Sequence, residues 1–135
     1  MATFTKFEDF IEQLGKGVHD LNSDTLKVYL TNATPSVSDD AIKTDLAEIT
    51  NEHGYAPADI QNAFTETSGT GTMTATDVVF TASGGSFGPF RYIVIYNDTA
   101  ASDNLIGYAD YGSSITVNSG ETFTVDFGAS VITIS

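Results

Sequence analysis

Two histidines, eighteen carboxylates and a single arginine are the groups from which acid–base or metal chemistry would have to be built in this chain. Neither His19 nor His53 has a second ligand type three or four residues away, so neither starts a metal site by local spacing. His53 falls in the turn 51–57 and is expected to be an exposed loop histidine. Asp20, Asn22 and Asp24 have the oxygen spacing that opens a calcium loop. The following glycine is missing, however, and the twelfth position is Thr31 rather than a bidentate Glu. A side-chain-capped turn is the expectation there. Asp98 and Asp103 flank one loop and have the oxygens a cation would want, but no metal is assigned. Serines are frequent, yet none is singled out as a nucleophile with a base in reach. With eighteen acids, some close carboxylate pair arises by chance, so a pair is no sign of glycoside hydrolysis. The loop 83–89 is glycine-rich, but a strand follows it instead of a helix, so a phosphate would lack the helix dipole. No catalytic residue, cofactor or metal is therefore assigned, and the chain is read as a non-enzyme.

The elements that must position these groups centre on 90–112. Phe90, Tyr92, Val94 and Tyr96 alternate with Arg91, Ile93, Ile95 and Asn97. Both sets are largely apolar, which predicts a central strand covered on both faces. A polar loop, 98–104, leads to a second strand, 105–111, ended by Gly112-Ser113-Ser114. If these two strands pair, Arg91 comes beside Asp110 and Tyr111, and an Arg91–Asp110 ion pair is predicted as a structural feature. Residues 26–31 form a further strand, with Leu26, Val28 and Leu30 on one face. Weaker strands are predicted at 60–67, 72–76, 78–82, 114–117, 122–127 and 131–134, with a hairpin turn at 118–121.

Two segments have helical spacing. Phe7, Phe10, Ile11 and Leu14 share one face of a helix stopped by Gly15-Lys16-Gly17. That helix either packs on its own sheet or acts as an arm, with Phe4, Phe7, Phe10, Ile11 and Leu14 as candidate assembly contacts on a neighbouring subunit. Ser38-Asp39-Asp40, followed by Ile42, Leu46 and Ile49, predicts a short helix near 38–47. Short strands about ten residues apart then give an all-β fold. It is a single-domain β-sandwich or jelly-roll-like barrel over 18–135, with an N-terminal helix or arm over 1–17.

Composition narrows the classes of function. The 135 residues are 41% hydrophobic, enough for one domain with a real core. There is no cysteine, hence no disulfide framework. No apolar run approaches the length of a membrane span, and the acidic N-terminus does not read as a secretory signal. The formal charge is −13, with only five Lys and Arg, scattered along the chain. That argues against binding a nucleic-acid backbone and favours either plain solubility or a basic partner surface.

Six segments occur in an order that carries a resemblance: LTNATPS (30–36), DLAEITNEHGY (45–55), TATDVVFTASGG (74–85), PFRYIVIYNDT (89–99), LIGYADYGSS (105–114) and GETFTVDF (120–127). Together they resemble a family of small virion structural proteins of tailed bacteriophages, similar to capsid decoration or cement proteins. A glycine-asparagine-glycine-tyrosine turn of that family stands here as Glu52-His53-Gly54-Tyr55, and the N-terminal Phe-bearing segment is an addition to the shared core. The resemblance implies an inert β domain that binds the outer surface of an assembled shell and stabilises it. Its partners would be the major capsid protein or other virion proteins, with trimers among the homo-oligomers such a role implies. Neither nucleic acid nor membrane would be bound. The alternative is a tail, baseplate or fibre component, in which tyrosines such as Tyr92, Tyr96, Tyr108 and Tyr111 stack on glycans.

Overall fold

The computed structural model describes residues 2–135. In chain order its elements are β1 (Thr5–Lys6), α1 (Glu8–Gly15), β2 (Leu26–Thr31), a 3-10 turn (Lys43–Asp45), β3 (Ala58–Asp59), β4 (Ala63–Thr67), β5 (Thr70–Thr74), β6 (Val78–Thr81), β7 (Phe87–Asn97), β8 (Leu105–Val117), β9 (Thr122–Val125) and β10 (Ile132–Ile134). The fold is all-β. The main sheet has the order β1-β8-β7-β2-β3, and smaller sheets pair β10-β5-β4 and β6-β9. All the pairings are antiparallel. Among the described residues, no helix is long and apolar enough to cross a membrane.

β7 lies at the centre of the main sheet, as its two apolar faces predict. Tyr92 through Asn97 are all buried on it. β2 flanks it in continuous register from Leu26 opposite Asn97 to Thr31 opposite Tyr92. One hydrophobic cluster joins all the layers, from Phe7 and Phe10 through Val94 and Phe123 to Ile132. Burying aromatic side chains of this size supplies most of the driving force for a domain without disulfides.

Three predicted elements take a different form. The helix near 38–47 shrinks to the 3-10 turn. Two carboxylates of the segment bond the backbone locally instead: Asp40 accepts the Ser36 N–H, and Asp45 accepts the N–H groups of Ala41 and Ile42. Such side-chain bonds offer the backbone an alternative to the helix ladder. Beyond the turn the chain runs extended against β2, where Thr31 bridges to Glu48. The strand at 105 does not end at Gly112-Ser113-Ser114 either. β8 arches outward and resumes: Phe90 faces Ile115 and Tyr92 faces Asp110, so four residues of β8 stand opposite Arg91 alone. Gly112, at φ 101°, makes that excursion possible. Lastly, 118–121 does not close a hairpin. It carries the chain across to another sheet, where β9 pairs with β6.

Candidate functional site

Arg91 and Asp110 meet at the root of the β8 bulge. Arg91 Nε donates to Asp110 Oδ1 at 2.8 Å and Nη2 to Oδ2 at 3.0 Å, a two-point fork. Asp110 Oδ1 also accepts the Gly112 N–H at 2.8 Å, which ties the ion pair to the bulge. The hydrogen bond from Arg91 holds the Asp110 carboxyl below its ordinary value. Beside it, Tyr111 is 52% exposed and its ring meets Phe123 edge-on at 5.5 Å. A cleft of about 370 Å³ runs from these residues to Ala2 and Thr3. Of the four tyrosines proposed to stack on sugars, Tyr92 and Tyr96 are buried and Tyr108 is half-buried. Burial pushes the Tyr96 hydroxyl well above the usual phenol range. Only Tyr111 offers an open ring, because alternation along a strand does not tell which face another layer will cover.

The N-terminal residues are drawn inward. Phe7 and Phe10 are fully buried in the core of their own chain, Phe4 stacks on Phe127 at 5.5 Å, and Leu14 is half-buried. Ile11 alone of the five candidate assembly contacts is exposed, at 51%. β1 adds a short strand to the outer edge of β8, with Thr5 opposite Tyr108. The helix therefore packs on its own sheet in this structure, and Phe7 and Phe10 present no surface to a neighbour.

His19 is a buried polar group, 5% exposed at the loop that leads into β2. Asn97 Oδ1 accepts the N–H groups of Thr99 and Ala100, so Asn97 Nδ2 is its donor end. That amide donates to Asp24 Oδ2 at 2.8 Å and faces His19 Nδ1 at 3.0 Å. His19 Nδ1 must then accept, which puts the ring proton on Nε2. Nε2 is the one buried side-chain nitrogen or oxygen among the described residues with no hydrogen-bond partner. Burial lowers the pKa of His19, against the opposing pull of Asp24 and Asp9. The sequence marks His19 and the Asp20–Asp24 turn as neighbours but gives no hint of Asn97, 78 residues away.

The other candidate groups are accounted for by local structure. Asp20 Oδ1 caps the Asn22 and Ser23 N–H groups, as a turn requires. Asp98 pairs with Lys27 at 3.3 Å. Lys43 bridges to Glu48 at 2.7 Å, and Glu48 also accepts the Tyr55 hydroxyl, which in turn receives the Leu30 N–H. No three His, Asp or Glu side chains gather to hold a metal among the described residues. The loop 83–89 does carry the spacing Gly84-x-Ser86-x-Gly88, which a nucleophile elbow shares, and the His53 ring lies over Gly85. It leads into β7 instead of joining a strand to a helix, and no hydrogen bond links Ser86 to His53. Gly54, at φ 93°, is required beside it, since a Cβ there would strike the Thr81 carbonyl.

Comparison with protein-family models, with curated proteins and with solved structures finds no match to this chain.

Proposed function

We propose that this protein is a non-enzymatic virion component of a tailed bacteriophage, a decoration protein that seats on the outer surface of the assembled capsid and reinforces it. The observation that supports this reading is how the six resemblance-bearing segments are used. Leu30, Tyr55, Phe80, Val94, Ile106 and Phe123 come one from each, and all belong to the same buried cluster. The ordered motifs thus contribute to one buried scaffold. Such a domain reinforces a shell by contacting several subunits at once, so each contact need not be strong.

Co-sedimentation with shells that lack the protein tests this. Saturable binding at a fixed ratio to the major capsid protein is the expected result. Absence of binding to expanded heads would transfer the assignment to the tail. That second reading has one observation in its favour, the open Tyr111 ring above the 370 Å³ cleft. It requires glycan binding that a Tyr111→Ser variant loses.

A further inference from the structure

Between α1 with its following loop and the β10-β5-β4 sheet lies a second cleft, of about 540 Å³. Leu14 and Leu21 form one wall, and Phe64 and Ile134 the other. Phe64 lies across Gly71, where any side chain would displace its ring. The volume falls in the roughly 300–1,000 Å³ range of built binding sites.

The residues around it say what fits there. His19 also lines the cleft, but its Nε2 is closed to solvent and so to any ligand atom in this arrangement. The polar rim is acidic: Asp20 and Glu66 line the cleft and no Lys or Arg does. Nor, among the described residues, is a lysine or arginine free of other partners to balance them. Lys16, Lys27, Lys43 and Arg91 are each paired with a carboxylate, and Lys6 donates to the Thr133 carbonyl. A second copy of a chain with net charge −13 would bring like charge to this rim.

We infer that this cleft is the seat for a segment of a partner protein that presents an apolar side chain flanked by lysine or arginine. The inference rests on the shell-binding reading and assigns the face that meets the shell. The apolar anchor fills the space between Leu21 and Phe64, and the flanking cations meet Asp20 and Glu66. Anchors of this kind, desolvated at the centre of a contact, carry most of its binding energy.

The test is quantitative co-sedimentation with shells lacking the protein, using wild type, Glu66→Lys, Ile134→Asp and, at the other cleft, Tyr111→Ser. Glu66→Lys and Ile134→Asp are expected to bind about tenfold or more weakly, with Tyr111→Ser unchanged. Wild-type binding should also weaken as salt rises from about 50 to about 500 mM. Glu66 is exposed, so its variant carries the test alone if the Ile134 variant melts early. Wild-type saturation with both cleft variants unaffected would overturn the inference and leave the shell reading standing. Failure of wild type to bind shells would remove the shell reading and the inference with it.

Discussion

His19 is where a single protonation changes the energetics of the fold. Its Nδ1 accepts from Asn97, and burial outweighs the attraction of Asp24 and Asp9, so its folded-state pKa lies below the ordinary histidine value. As pH falls below about 6.5 the unfolded chain takes up a proton that the folded chain refuses. Stability is therefore full above that pH and declines below it, until the folded pKa is passed. One proton caps the slope at about 1.4 kcal/mol per pH unit. Urea melts at pH 7.5 and 5.5 should show the loss in wild type and a flatter response in His19→Gln, which keeps an acceptor for Asn97. Equal slopes in the two proteins would show that His19 does not govern the acid limb. Arg91 and Asp110 predict a smaller effect. Asp110 also caps the Gly112 N–H, so Asp110→Ala should lower the melting temperature more than Arg91→Ala, and the double variant should do little more than Asp110→Ala. The Arg91–Asp110 pair is legible in the sequence because strand pairing across a short loop fixes which residues face each other. Asn97 and the cleft residues Phe64 and Ile134 are not, because their neighbours come from distant segments that alternation does not connect.

At the scale of elements, α1 behaves as part of the core. Phe10→Ala should destabilise by about 3–5 kcal/mol, as expected for a fully buried ring, whereas Ile11→Ser should stay within about 0.5 kcal/mol. Deleting residues 2–17 should accordingly unfold the domain; a truncated chain with native near-UV circular dichroism would mean the helix is dispensable. The β8 bulge should behave in the opposite way. Residues 112–114 are exposed, and removing them leaves one residue of β8 opposite Arg91. The deletion should keep the β7–β8 ladder and change stability by no more than about 1 kcal/mol. Loss of the folded state would show that the arch, and not the ladder, holds the two halves of β8 together. These differences explain which elements the sequence reveals. β2 and β7 announce themselves through apolar alternation. Gly112-Ser113-Ser114 has the composition of a strand end and serves instead as a bulge, since only pairing with β7 distinguishes the two. The 38–47 segment has helical spacing but loses its helix to Asp40 and Asp45, whose carboxylates bond the backbone first.

For the molecule as a whole, eighteen acids against five cations leave a charge of −13 that local pairing does not cancel. Four of the cations already lie in ion pairs. The remaining carboxylates repel one another more strongly in the folded chain than in the expanded one, because folding brings them closer together. Salt acts on two opposing terms here. It weakens the ion pairs, and it screens the repulsion. Exposed pairs contribute little, whereas the repulsion is summed over many charges. Raising sodium chloride from about 10 to about 500 mM, which shortens the Debye length from about 30 to about 4 Å, should therefore raise the melting temperature. A fall would mean that the four pairs outweigh the net charge.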